Sequence, residues 1–188
     1  SFPGGPGGMD TPLSHVDPSA IKSLEIIKGP YALTWGAGNM SAIRVETLPL
    51  PIGGAAPLGA RIFSGYDSNL DATELGGEAV GMVGGVAYAL AGSWRRGDDY
   101  TAGGGAVVPA TFRSGEARAK LGLPVSRNSR VVLAGSFQAQ RDIAYPGRPL
   151  DAEYFDVLNG SARWELTRPR GALRGVDALV YAYSIDHE

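Results

Sequence analysis

Apolar and polar side chains alternate one by one along a series of segments of about ten residues each, beginning at residue 58. The alternation is plainest in segment 113–125, where charged residues take every second place in the order Glu116, Ala117, Arg118, Ala119, Lys120, Leu121. A period of two is that of a β-strand, whose successive side chains point to opposite faces. The chain is therefore expected to build a sheet with one apolar and one polar face.

Seven segments share this pattern, and we expect each to be a strand: 58–67, 73–83, 86–95, 113–125, 131–141, 158–166 and 177–186. Their length suits strands that cross a bilayer with an apolar face in lipid and a polar face in a barrel lumen. Two places depart from the pattern. Phe63 lies on an otherwise polar face, and segment 177–186 is apolar on both faces, so its orientation stays open.

The connections between these segments alternate in length. Short turns at Gly84-Gly85 and 124–129 alternate with stretches of about a dozen residues, rich in Gly, Pro and Asp, at 99–112 and 142–155. The first outer connection, 68–71, is short. Outer-membrane barrels place short turns on the periplasmic side and longer loops outside the cell. The two long stretches are therefore expected to be extracellular loops.

Composition agrees with a barrel wall. The 188 residues include 28 Gly, 13 Pro and no Cys, and 44 % of them are hydrophobic. No apolar run approaches the roughly 18 residues that a membrane-spanning helix needs. The net charge of -2 argues against a nucleic-acid partner.

A motif ahead of the first barrel-like strand joins two apolar runs through glycine turns. It reads Leu24-Glu25-Ile26-Ile27-Lys28-Gly29-Pro30, then Trp35-Gly36-Ala37-Gly38, then Ile43 to Thr47. This motif resembles the end of the plug domain of TonB-dependent outer-membrane receptors. The resemblance implies an all-β fold, a fragment of a plugged transmembrane antiparallel β-barrel with about seven of roughly 22 strands. It divides the chain into the C-terminal part of the plug (1–50), a linker (51–57) and the first barrel strands (58–188).

The same resemblance implies a transport function. Receptors of this family bind a scarce ligand outside the cell and pass it inward when TonB, driven by the inner-membrane proton gradient, pulls on the plug. The resemblance therefore implies that the protein is not an enzyme and that it lies in the outer membrane of a Gram-negative bacterium. Its partners would be TonB, outer-membrane lipid and a metal ion or metal chelate such as a ferric siderophore, with no cofactor. The absence of an initiator Met and of a signal peptide leads us to expect missing upstream sequence.

The ligand hypothesis rests on the two ends of the chain. The run Met9-Asp10-x-Pro12-x-Ser14-x-x-Asp17-Pro18 is similar to plug loops of the copper-receptor branch of that family, and so is the Asp186-His187 pair. That branch tends to carry a cysteine four residues before the methionine, where this chain has Gly5. A thioether and an imidazole suit copper, so Met9 and His187 are the predicted metal ligands. Asp10 and His15 are further ligand-contact candidates, although His15 also fits a solvated loop residue.

Charged residues on the polar faces allow two interpretations. Arg95 and Arg96, at a strand end, could clamp an anionic siderophore or form ion pairs that close the strand. Lumen residues such as Glu78, Lys120 and Glu165 could contact the plug or a ligand, but cross-strand pairing is the favoured interpretation. No Ser-His-Asp arrangement or zinc-like histidine pair appears.

Two other classes share parts of the pattern. A passive porin-like or purely structural outer-membrane barrel would have the alternating strands but not the plug-like motif at 21–47. A soluble, secreted β-sandwich that binds a ligand would bury its apolar faces against each other.

Overall fold

Strands dominate the computed structural model, which describes residues 18, 21–35, 40–51, 58–147, 151–167 and 174–188. In chain order its elements are β1 (Ile21–Lys28), a 3₁₀ helix (Pro30–Trp35), β2 (Ser41–Thr47), β3 (Gly59–Asp67), β4 (Ala72–Val83), β5 (Val86–Gly97), β6 (Tyr100–Thr101), β7 (Val107–Val108), β8 (Phe112–Ser126), β9 (Ser129–Ile143), β10 (Ala152–Thr167) and β11 (Gly175–His187). In the part of the chain that the structure describes, no helix has the length and apolar character needed to cross a membrane.

One antiparallel sheet contains all seven predicted strands, in the order β11-β10-β9-β8-β5-β4-β3. Each strand pairs with its neighbour along the chain, apart from the small β6-β7 hairpin inserted between β5 and β8. The prediction of an all-β fold with seven consecutive antiparallel strands is confirmed. β3 and β11 form the two edges of the described sheet.

The register places polar and apolar side chains on opposite faces. We call the face that carries Glu78 and Lys120 the inner face and the opposite one the outer face. Large apolar side chains on the outer face are solvent-exposed in the isolated chain, among them Leu90, Leu121, Leu133, Phe137, Leu158 and Trp164. A β-sandwich would bury such side chains between two sheets. The sandwich alternative is therefore contradicted, and an apolar exterior of this kind is what lipid contact requires.

Aromatic rings fill the space above strand glycines. Phe63 lies directly opposite Gly76, and a Cβ added to Gly76 would stand 2.2 Å from Phe63 Cζ. Tyr88 covers Gly81 in the same manner, and Phe112 covers Gly97. A ring that packs over an opposite glycine shields backbone and fixes strand pairing. Phe63 therefore breaks the polar pattern because it occupies the gap left by Gly76.

The orientation of β11, open at the sequence level, follows from its pairing with β10. Tyr183 lies opposite Asn159 and Tyr181 opposite Ser161, so both tyrosines share the inner face. Val180, opposite Ala162, takes the outer face. The inner face of this edge strand is thus more aromatic than that of the other strands.

Two connections are shorter than expected because the strands extend further. β8 and β9 run to Ser126 and from Ser129, which leaves Arg127-Asn128 as the turn instead of 124–129. β9 continues to Ile143 and β10 begins at Ala152, so the predicted loop 142–155 shrinks to 144–151. The loop was predicted from the Gly, Pro and Asp content of 142–155. Asp142, inside β9, has a φ of 54°, within the left-handed region.

The N-terminal segment forms a separate hairpin. β1 and β2 pair antiparallel from Ile21↔Thr47 to Lys28↔Ser41, and the chain reverses at Gly29, whose φ is 80°. A 3₁₀ helix follows from Pro30, where a proline suits the first turn. We call β1, this helix and β2 the N-terminal hairpin. The predicted boundary at 51–57 lies mostly outside the described residues and stays a prediction.

Candidate functional site at the inner face

The N-terminal hairpin is tied to the inner face by an ion-pair cluster. Lys22 on β1 donates to Glu78 Oε1 on β4 at 2.8 Å, and Arg61 Nε on β3 donates to the same oxygen at 3.0 Å. The Glu78 side chain is 13 % exposed and that of Lys22 31 %. A carboxylate shielded to this degree makes stronger contacts than a fully exposed one. Glu78 therefore anchors the hairpin to two strands of the wall.

A second attachment lies further along the sheet. Lys120 Nζ on β8 donates to the carbonyl oxygen of Leu48 at 2.9 Å, just after β2 ends. Leu50 packs nearby, since a Cβ on Gly122 would stand 3.1 Å from Leu50 Cδ1. Ala87 and Ala89 are buried on the same face. The segment that follows β2 therefore packs on small inner-face residues and is hydrogen-bonded by Lys120.

A row of inner-face residues crosses the sheet at the end where β5 and β9 finish, which we call the loop end. Successive strands place these residues directly opposite one another, and they are Glu74, Arg95, Ser114, Gln140, Phe155 and His187. We call this set the mouth row. It combines a carboxylate, a guanidinium, a hydroxyl, an amide and an imidazole on one surface, which are groups that bind metal ions and anionic chelates.

Two aromatic rings contact polar side chains of the mouth row: Phe155, within the row, contacts His187, and Phe112, beside it, contacts Arg95. The His187 ring stacks on Phe155, with centroids 5.3 Å apart and planes inclined by 8°. The Arg95 guanidinium lies over the Phe112 ring, 5.7 Å from its centroid. Stacking restricts the rotamers of both polar groups, so each presents its donors or acceptors from a fixed position.

The predicted site residues fall in different places. Met9, Asp10 and His15 lie outside the described residues. His187 and Arg95 share the mouth row, four strand spacings or about 19 Å apart. Arg96 points to the outer face instead, because consecutive side chains of a strand alternate. Within the described ranges, no three His, Cys, Asp or Glu side chains are grouped closely enough to hold a metal ion.

The other inner-face charges pair with one another. Arg163 Nε lies 3.5 Å from Asp177 Oδ1, and Arg130 contacts Glu165, both at the end of the sheet opposite the mouth row. Glu116 is buried and contacts Arg118. The structural interpretation therefore holds for the charges at that end and for the Glu116–Arg118 pair, whereas Glu78 and Lys120 contact the hairpin.

The loop after β5 is organised by Asp99. Its carboxylate accepts hydrogen bonds from the Ala110 amide at 3.0 Å and the Thr111 hydroxyl at 2.8 Å. The Ala110 amide bond, followed by that of Thr111, holds the pKa of Asp99 below its ordinary value. The carboxylate thus closes the loop at the margin of the mouth row.

Sequence reasoning missed several members of this site. Lys22 attracted no attention because its partner Glu78 lies 56 positions away. Ser114 and Gln140 are ordinary polar residues of a strand, and only the register shows that they align with Arg95 and His187.

An antiparallel sheet that is apolar on one face and polar on the other is the fold of part of the barrel of a TonB-dependent receptor. Among solved structures, that of copper transporter OprC matches 99 % of this chain with a TM-score of 0.83 and 25 % sequence identity. The match covers 29 % of that chain, so this chain spans less than a third of its length. No protein-family model and no curated protein matches the sequence.

Proposed function

We propose that this chain is part of a TonB-dependent outer-membrane transporter that takes up copper. The observation that carries the proposal is the structural match to a copper transporter over nearly the whole chain, including the hairpin region. The attachment of that hairpin to the inner wall by Lys22–Glu78 and Lys120–Leu48 supports a plug that occupies the lumen.

Copper is favoured over a ferric siderophore by two residue types in this chain. His187 offers an imidazole on the inner face at the loop end, and Met9, outside the described residues, is the proposed thioether ligand. Soft and borderline ligands of this kind select copper. Arg95 is the mouth-row group that would instead suit an anionic chelate. Because an imidazole and a thioether suit copper and Arg95 alone suits an anionic chelate, copper is the proposed transported ion.

The test is an uptake assay in whole cells that express the full natural chain together with TonB. Cells expressing it should accumulate radioactive copper faster than cells without it, and a panel of ferric siderophores should show no such difference. A protonophore should abolish the copper accumulation, because TonB needs the proton gradient. Siderophore uptake without copper uptake would contradict copper as the transported ligand but would still agree with a TonB-dependent receptor.

Energy dependence also separates this proposal from the passive barrel considered at the sequence level. A porin-like barrel would admit copper equally with and without the proton gradient. Copper accumulation that is insensitive to the protonophore would therefore contradict the TonB-coupled mechanism, whatever the ligand set at the mouth row.

A further inference from the structure

We propose that arginines of the inner face keep its carboxylates from holding the transported cation. We call the end of the sheet opposite the loop end the turn end. Between the mouth row and the turn end, the inner face of the described sheet carries four carboxylates, which are Glu78, Glu116, Glu165 and Asp177. Each of them contacts an arginine that belongs to the sheet itself. The proposal rests on the function proposed above, with a cation as the transported ligand.

A free carboxylate on this surface would retain a metal cation. Carboxylate oxygens are ligands for divalent ions, and two carboxylates together hold such an ion more firmly than one. An ion passes along a lumen only if each surface binds it weakly enough to release it again. A wall that faces a transported cation therefore needs its carboxylates neutralised wherever binding is not required.

The clearest case is a pair of carboxylates at the turn end. Glu165 on β10 lies directly opposite Asp177 on β11, an arrangement in which like charges repel and a divalent cation would be attracted. Arg163 lies beside both, with Nη1 3.9 Å from Glu165 Oε1 and Nε 3.5 Å from Asp177 Oδ1. Arg130, opposite Glu165 on β9, contacts the same carboxylate. Two guanidinium groups thus compensate the two carboxylates.

Glu78 shows that the compensation does not depend on the hairpin. Lys22 of the hairpin and Arg61 of β3 both donate to Glu78 Oε1, at 2.8 and 3.0 Å. Arg61 lies directly opposite Glu78 in the sheet, and its guanidinium is 5.1 Å from the centroid of the Phe63 ring, which restricts its position. Departure of Lys22 during transport would therefore leave Glu78 neutralised.

Glu116 is the most shielded of the four carboxylates. Its side chain is 3 % exposed, and it contacts Arg118 on the same strand and face. Arginine suits this task better than lysine, because a guanidinium stays charged at any physiological pH and its fork matches a carboxylate. Between the mouth row and the turn end, the described sheet therefore offers a passing cation no uncompensated carboxylate on its inner face.

The experiment measures binding of Mn²⁺ to the full natural chain, purified in a neutral detergent, by the electron paramagnetic resonance signal of the free ion. Mn²⁺ is the probe because carboxylates suit it, whereas an imidazole and a thioether suit copper. Arg163→Gln leaves Glu165 and Asp177 with one arginine between them, and it should raise the affinity for Mn²⁺ at least about tenfold over the parent. Arg163→Lys keeps the positive charge and should bind Mn²⁺ as weakly as the parent.

Two further variants locate the added site. Arg163→Gln combined with Asp177→Asn lacks one of the two opposed carboxylates and should lose the gain. Arg127→Gln is the matched control, because it removes an arginine of the turn between β8 and β9 at the same end of the sheet, and it should bind Mn²⁺ as the parent does. The proposal is overturned if Arg163→Gln gains no affinity, if the double variant keeps the gain, or if Arg127→Gln gains as much.

Copper uptake by whole cells that express the chain together with TonB tests the consequence for transport. Arg163→Gln should take up copper severalfold more slowly than the parent, because the exposed carboxylates retain the ion. An added Mn²⁺ site without slower copper uptake would overturn the proposal. A parent that takes up no copper would contradict the proposed function instead, and Mn²⁺ binding would still decide whether the arginines keep cations off the wall.

Strand content in circular dichroism controls for folding. If Arg163→Gln does not fold, Arg130→Gln tests the same pair of carboxylates, since Arg130 lies opposite Glu165. It should also raise the affinity for Mn²⁺, and a folded Arg130→Gln variant without that gain would overturn the proposal.

Discussion

The imidazole of His187 stacks on the phenyl ring of Phe155 across β10 and β11, with ring centroids 5.3 Å apart. Phe155 is buried and His187 exposed, so the histidine covers the phenylalanine. The pair gives His187 a role in packing, which can be separated by substitution from its proposed role as a metal ligand.

Replacing His187 separates these roles. His187→Ala removes both the stack and the imidazole nitrogens, whereas His187→Phe retains a ring and removes only the nitrogens. We expect both variants of the full chain to bind copper at least about tenfold more weakly. Isothermal titration with copper measures the affinity, and equal affinity in the parent and the Phe variant would exclude His187 as a ligand.

Glu78→Gln should loosen the N-terminal hairpin. The change removes the charge that Lys22 and Arg61 share, at an estimated cost of about 1 kcal/mol, since Lys22 is partly exposed. Amide hydrogen exchange in β1 should become faster. Glu25→Gln is the control, because its pair with Arg44 at 3.4 Å is exposed and lies within the hairpin. Equal exchange in both variants would show that Glu78 does not anchor β1.

Gly76→Val should destabilise the sheet through Phe63. Its Cβ would stand 2.2 Å from the Phe63 ring, and such overpacking costs about 1–3 kcal/mol. Thermal unfolding measures the loss, and Phe63→Ala in the same chain should restore part of it. Gly115→Val is the control, because nothing lies within 4 Å of a Cβ there. No recovery in the double variant would exclude the ring as the cause.

Acidification should open the loop held by Asp99. Its pKa in the folded chain lies below the ordinary value of 3.8, so the ionised carboxylate stabilises the loop above that value. This contribution is lost as the pH falls through the lowered pKa. Corrected hydrogen-exchange protection of the Ala110 amide should therefore be constant near neutral pH and decrease below about pH 4. Asp99→Asn should reduce protection at neutral pH and remove the acid transition, and a persisting transition would assign it elsewhere.

The strands could be predicted from the sequence because a period of two is a local property. Residues 113–125 show the alternation without any knowledge of their neighbours. Phe63 looked like an exception for the same reason, since its partner Gly76 lies on another strand. The all-β architecture can be predicted from the alternation within each segment. The packing of a side chain such as Phe63 over a glycine of another strand depends on how the strands pair.

The candidate site was only partly predictable. His187 was selected because the Asp186-His187 pair resembles the copper-receptor branch, and Arg95 because it lies at a strand end. Their alignment in one row depends on the registers of four strand pairs. A shift of one residue in any pair would move a side chain to the other face. The placement of Arg96 outside the lumen follows from that same alternation.

Arg95 and Arg96 are consecutive, yet one faces the lumen and the other the surrounding medium. Inserting or deleting a single residue within β5 would exchange the two environments for every residue beyond it, and Trp94 would turn toward the water-filled side. Natural variants of this wall should therefore change strand length in steps of two, while the stretch between β5 and β8 can vary by any number.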